Sequence, residues 1–261
     1  MTQNLSLAAR HLPLIARGRP EDLLHSEALT LAQEGPLRVA YAPFEHIARD
    51  ARLVVVGITP GRSQAVAAIR AAQAALADAC ALEDTLRFAK LTASFSGAIR
   101  ANLVAMLDSI GVARHLGLMS AAELFTPGGE RVHLTSALRY PVFKDGANYN
   151  GTPDMIRTPI LRHMIETHLA EEARLLPDAL WLPLGPKAEQ ALRHLAGLRL
   201  LDPARVIGGL PHPSGANGER VAVFMGRKAP EAASRQTNGP ALVAAAKRLT
   251  TQLANLTGPA T

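Results

Sequence analysis

Cysteine is nearly missing: Cys80 stands alone among 261 residues. One thiol excludes an internal disulfide framework and any iron–sulfur cluster held by cysteines of this chain alone, and it suits a reducing cytosol. Zinc spacing is missing too. There is no HExxH and no cysteine pair, and His163 and His168 stand five residues apart, off a common helical face. No metal site is expected. No apolar run approaches the roughly 20 residues that cross a bilayer, so no membrane partner is expected either. Acidic residues are in the minority, 22 against 28 lysines and arginines, for a formal net charge of +6. That surplus suits a polyanionic partner such as nucleic acid, although an Arg- and Ala-rich composition explains it equally well. The stretch before Glu21 carries Arg10, Arg17 and Arg19 and no acid, faintly like a transit peptide; Leu5, Leu12, Leu14 and Ile15 read better as a docked apolar segment.

Two short stretches organise what is present: residues 53–63 (LVVVGITPGRS) and 206–220 (VIGGLPHPSGANGER). Each is an apolar run that stops in a Gly/Pro turn bearing polar groups, as buried strands of a parallel sheet do. In open α/β sheets the site lies beyond the carboxyl ends of such strands. Both turns should therefore open on one crevice, one bringing Thr59 and the other His212. The spacing predicts helices over residues 20–34, 63–79, 83–91, 98–110, 155–176, 186–196 and 240–256. It predicts strands over 37–44, 53–58, 131–138, 179–184 and 205–209, a capping box at SAAE (120–123), a turn at PGG (127–129) and a polar, aromatic loop over 139–153. Strands alternating with helices imply an α/β domain with a parallel sheet covered on both faces. A single domain, 1–261, is the simpler reading, with a core of about 37–225 and the segments 1–35 and 240–256 packed on it.

Familiar chemical motifs fail. GITPGRS at 57–63 has the wrong spacing for a phosphate loop and an arginine in place of its lysine. No GxGxxG follows a strand, and there is no GxSxG. What remains is the pair of turns. A lone histidine is more often structural than catalytic, but Pro211 and Pro213 stiffen the backbone around His212. Gly215, Ala216, Asn217 and Gly218 then let backbone approach a bulky ligand.

With these residues in place the chain resembles the uracil-DNA glycosylase superfamily. GITPG (57–61) is similar to the GINPG motif of the mismatch-specific and thymine-DNA glycosylase branch, and HPSGAN (212–217) to the HPSPRN motif of the single-strand-selective branch. SFSG (94–97) stands where members carry the aromatic that stacks on the flipped base, LTSA (134–137) where they carry a base-reading Asn, and LGPKA (184–188) where they have an LG-x-x-A turn. Each motif alone is weak; five in family order, spanning roughly residues 50–225, are fairly specific. The resemblance implies a three-layer α/β/α sandwich with a central, mainly parallel four-stranded sheet, no cofactor, and a cytoplasmic monomer acting on DNA.

It also implies roles. His212 would hydrogen-bond the base carbonyl as negative charge develops there, Phe95 would stack on the base, and Gly57, Ile58 and Ser136 would complete the base pocket. Thr59 stands where the family has a water-positioning Asp or Asn, and a hydroxyl is no useful base near neutral pH. Asp145 and Asn148 are candidates to replace it. Ser136 for the usual Asn, with the small Gly61, implies a roomier pocket and a modified or 5-substituted pyrimidine, including hypermodified bases of phage DNA. Plain uracil is the alternative. Pro60, Gly61, Arg62, Lys187, Ser214, Gly215, Ala216, Asn217 and Arg220 would contact DNA; Ala216 is too short for a duplex wedge, which favours single strands or mismatches. The expected activity is that of a monofunctional DNA glycosylase. A non-catalytic nucleic-acid-binding protein and a hydrolase of free nucleosides are the competing classes.

Overall fold

In a computed structural model the described residues are 3–93, 98–126 and 131–256. Helices α1 (Ser6–Ile15) and α2 (Pro20–His25), the second opened by Pro20 and the acidic pair Glu21 and Asp22, precede a hairpin of β1 (Thr30–Glu34) and β2 (Leu37–Ala40). Then come β3 (Leu53–Gly57), helices α3 (Arg62–Ala77), α4 (Leu82–Ala93), α5 (Ala98–Ile110) and α6 (Val112–His115), and β4 (Val132–Ser136). A second hairpin, β5 (Val142–Lys144) with β6 (Ala147–Asn148), leads into α7 (Pro159–Met164), a π-turn (Ile165–Leu169) and α8 (Ala170–Leu175). β7 (Leu180–Pro183), α9 (Pro186–Gly197), α10 (Gly218–Phe224) and α11 (Gly239–Asn255) follow.

The chain is mixed α/β. A parallel sheet runs in the order β4-β3-β7, with Gly57 level with Ser136 and Leu53 level with Leu180. All five residues of β3 are buried, and they alternate between two cores: Val54 and Val56 face one, Leu53 and Val55 the other. Ala65, Ala68, Ile69 and Ala72 of α3 fill the first core; Leu103, Met106 and Leu107 of α5 and Leu249 of α11 fill the second. An apolar run without polar alternation is what a strand covered on both faces requires.

The expected four-stranded parallel sheet needs correction. Residues 206–210 run beside β7, but they pair only at Trp181/Val206 and Leu184/Leu210, with a ladder bond from the Ile207 N–H to the Trp181 carbonyl at 2.8 Å. Gly208 and Gly209 explain the break. Gly209 has φ +116°, and a Cβ on Gly208 would lie 2.4 Å from the Glu189 carboxyl carbon, so neither holds a regular strand position. A second sheet, antiparallel in the order β1-β2-β5-β6, replaces two expected features. The helix expected to reach residue 34 stops at His25, because 30–34 turn back on β2 through Gly35 at φ +54°. The expected loop 139–153 holds the β5–β6 hairpin, turned at Asp145 (φ 50°) and Gly146 (φ 75°). The turn expected at 127–129 lies outside the described residues. No helix among the described residues is long and apolar enough to cross a membrane.

A buried ionic cluster fixes the segment after β4. Arg139 donates from Nε to Glu172 Oε1 (2.9 Å), from Nη1 to Glu171 Oε2 (3.1 Å) and from Nη2 to the His168 carbonyl (2.9 Å). His133 accepts from the Ala48 N–H at Nδ1 and donates from Nε2 to Glu172 at 3.2 Å, the neutral tautomer expected where burial, then Lys90, hold its pKa down at about 4. Burial pushes Glu172 up, but Arg139, Lys90 and His133 outweigh it and keep the carboxylate ionised. Glu45 is different: burial raises it to about 7 against the opposing pull of Arg139, and its Oε2 is without a hydrogen-bond partner.

Two outcomes follow from this cluster. Arg139→Met leaves Glu172 buried without its main countercharge, and chemical denaturation should show a loss of about 3–5 kcal/mol; a loss below about 1 kcal/mol would contradict the arrangement. For Glu45, the folded pKa of about 7 lies above the ordinary 4.5, so the folded state binds the extra proton and stability falls as pH rises between those values. Glu45→Gln mimics the protonated acid. Its stability relative to the parent should rise across that window, and a pH-independent difference would count against a protonated Glu45.

Candidate base-binding cavity

Three strand ends converge. The carboxyl end of β3 supplies Gly57, Ile58 and Thr59, that of β4 supplies Ser136, and the segment beside β7 runs on into His212. All five line one cavity of about 260 Å³, together with Gly61, Gln64, Asn148 and Tyr149. Thr59 and His212, far apart in the chain, thus share one hollow. Ile58 and His212 also line a second, larger hollow of about 630 Å³, whose wall includes Lys187, Asn217 and Arg220.

His212 is held in one protonation state. Its Nδ1 accepts from the Ser214 backbone N–H at 3.2 Å, and an atom that accepts carries no proton. Burial lowers its pKa from the ordinary 6.5, so the ring is neutral at pH 7 with its hydrogen on Nε2. Nε2 has no protein partner among the described residues. The turn is braced from α5, where Asn102 donates to the Pro213 carbonyl at 2.9 Å, and from within, where Asn217 donates to Ser214 Oγ at 2.9 Å.

Thr59 is already engaged. Its hydroxyl donates to the Tyr140 carbonyl (3.0 Å) and accepts from the Val142 N–H (3.1 Å). The proton is committed, and one lone pair remains to accept from a water. Asn148 sits beside the Gly61–Arg62 turn. Its Oδ1 accepts from the Arg62 N–H at 3.0 Å, and since a backbone N–H can only donate, the Nδ2 amide is the end left for a ligand. Asp145 is at the exposed hairpin turn and does not line the cavity. Ser136 lines the cavity and also a void of about 20 Å³ beneath it, shared with Lys90 and Arg139.

Gln64 and Tyr149 escaped sequence reasoning. Gln64 accepts from the Gly61 N–H (3.0 Å) and donates to the Ala93 carbonyl (3.3 Å), stiffening the turn into α3. Its place three residues after the helix cap was the available signal. Tyr149 is buried, its hydroxyl bonded to the Pro153 carbonyl, and its ring is the aromatic surface that the described residues bring to the cavity. Burial, then Asp154, push its hydroxyl up to about 12, so it remains a neutral phenol. Phe95, the expected stacking residue, lies outside the described residues.

The expected DNA contacts divide. Lys187, Asn217 and Arg220 line the larger hollow, and Gly215 and Ala216 are exposed on a 3-10 turn (Gly215–Asn217) beside it. Ser214 is half-buried and engaged with Asn217. Gly61 belongs to the cavity wall. Two positions fit poorly. Pro60 is buried, and Arg62 folds back over the Phe143 ring (5.1 Å to its centroid) and bonds His25 and the Gly146 carbonyl. No carboxylate lines either hollow among the described residues, and no group of three or more His, Cys, Asp or Glu among them could hold a metal.

No family model matches the chain, and no solved structure matches it. A curated relative does. The protein YoxB of Bacillus subtilis (strain 168), described as uncharacterized, is 40% identical over 216 residues, which cover 80% of this chain and 84% of YoxB. Identity of that extent over most of both chains makes this protein a member of the YoxB family.

Proposed function

We propose that the protein is a monofunctional DNA glycosylase. It takes one base, swung out of its strand, into the cavity and hydrolyses the N-glycosidic bond. The observation that supports this reading best is the neutral His212 ring, whose Nε2–H is left free at the wall of a cavity it shares with Thr59, Ser136 and Asn148. The bond between the sugar C1′ and the base nitrogen breaks with its electron pair going to the base. A donor aimed at the base carbonyl meets the charge that develops there. The oxygen of a water then bonds C1′, and the proton it sheds neutralises the departed base. Asn148 Nδ2 is a second donor for the base, and the free lone pair of Thr59 orients the water without deprotonating it.

The lack of a carboxylate on the wall bears on which base leaves. Without a general base, a factor of about 10²–10⁴ is forgone, so bases whose anions are already good leaving groups are favoured. Ser136 and Gly61 leave room beside the base. Modified and 5-substituted pyrimidines fit that combination better than plain uracil, and a three-layer glycosylase-like sandwich is the corresponding fold reading. A second reading has its own support. The committed Thr59 proton and the carboxylate-free wall also suit a protein that binds an extruded base without cutting it.

Oligonucleotides carrying uracil, mismatched thymine, 5-hydroxymethyl and glycosylated pyrimidines or deaminated purines, assayed for alkali-labile sites, separate the two. The glycosylase reading expects abasic sites on at least one modified pyrimidine, reduced about 10²–10³-fold by His212→Ala, the usual loss on deleting one such donor. Since the neutral ring does the work, the rate should not fall as pH rises from 6.5 into the mildly alkaline range. Binding without release on every substrate would favour the second reading, and an alkaline loss of rate would contradict the neutral donor.

A further inference from the structure

The larger hollow has no part in holding the base just described. It is bounded by the residues after β7, the segment leading to His212, α10 and the first turns of α11. Pro186, Ala241 and Leu242 bring accessible apolar surface to it, with Leu184 and Leu210 buried behind them, and its charged lining residues are the cations Lys187 and Arg220. It lies next to the smaller cavity, since Ile58 and His212 belong to both walls. Arg220 is exposed, braced by Asn217 Oδ1 (3.2 Å) and the Gln236 carbonyl (3.3 Å), so its guanidinium is held at this wall. Lys187 has only a distant countercharge, Asp154 at 4.0 Å.

A phosphate alone has no use for the apolar wall of Pro186, Ala241 and Leu242, and an apolar ligand alone has none for two cations. A nucleotide uses both, through a flat base and an anionic link. The hollow is also too close to the cavity to serve an unrelated ligand when a strand is bound. In a duplex, the neighbours of an extruded base remain stacked and paired, and an apolar hollow beside it would stay empty. In a single strand the neighbour is free to leave the stack. We propose that this hollow takes the base adjacent to the one in the cavity, so that the protein recognises a two-nucleotide unit of single-stranded nucleic acid. The proposal rests on the reading of the smaller cavity as a base site.

The test is a binding measurement on the intact protein, by fluorescence anisotropy with labelled five-nucleotide strands. The base on the 5′ side of the central nucleotide, then the one on the 3′ side, is replaced by an abasic spacer. One of the two replacements should weaken binding about 10-fold or more, the scale of one stacked base, and the other much less. Ala241→Trp, an exposed position at the mouth of the hollow, should remove that asymmetry while leaving the response to the other spacer. The matching duplex should bind more weakly than the strand. Equal responses to both spacers, a duplex bound as tightly as the strand, or no strand binding would overturn the proposal, and the spacer comparison requires no variant to fold. Base release is scored separately. Neighbour-dependent binding without release would uphold this hollow and sink the glycosylase reading, and release without a neighbour effect would do the reverse.

Discussion

The hydroxyl of Thr59 joins two sheets that share no ladder. It donates to the Tyr140 carbonyl and accepts from the Val142 N–H, so the turn after β3 in the parallel sheet is fastened to the start of β5 in the antiparallel one. Below it, Arg139 is locked by two glutamates and a carbonyl, which fixes the segment that Thr59 grips. The hairpin thus held over the β3 end carries Asn148 and Tyr149 to the cavity. Remove the clamp, and the two halves of the cavity wall lose their common reference. A β-branched hydroxyl suits this job, being stiff at χ1 and able to donate and accept at once.

Electrostatics give the cavity its chemical character. Among the described residues its wall holds donors and neutral groups but no carboxylate, while the neighbouring hollow carries Lys187 and Arg220. Carboxylates are present nearby but spent. Glu172 neutralises Arg139, and Glu219, at the other end of the site, is consumed by Lys228, Ser234 and Thr237, which pins residues 228–237 against α10. These two glutamates act as braces, while the two hollows are lined among the described residues by amides, hydroxyls, one imidazole and two cations.

Much of this was legible in the sequence, for physical reasons. A strand buried on both faces is expected to be apolar throughout, and LVVV at 53–56 and LWLP at 180–183 have that character, whereas VHLTS at 132–136 alternates apolar and polar residues and seats His133 in the buried ionic cluster. Two apolar runs ending in Gly/Pro turns predicted that Thr59 and His212 would open on one crevice, and both line one cavity. The hairpins were not legible. TLAQE at 30–34 contains good helix formers, and only pairing with β2 makes it a strand; β5 and β6 are too short for any period to register. VIGGL at 206–210 read as a core strand because its glycines are silent in hydropathy yet decisive in backbone geometry. For the site itself, residue types announced which groups have chemistry but not which were already engaged. Nothing local to GITPG says that the threonine proton goes to a carbonyl 81 positions away.

The proposed function depends on an imidazole kept neutral, with its hydrogen on Nε2. Nitrogen-15 NMR of the histidine side chains, with His212 assigned by substitution, reads this directly. At pH 7 the Nδ1 of His212 should show the shift of an unprotonated nitrogen and Nε2 that of an N–H, as expected from the Ser214 contact and the burial that lowers the ring's pKa from 6.5. An imidazolium at pH 7, or a proton on Nδ1, would contradict it.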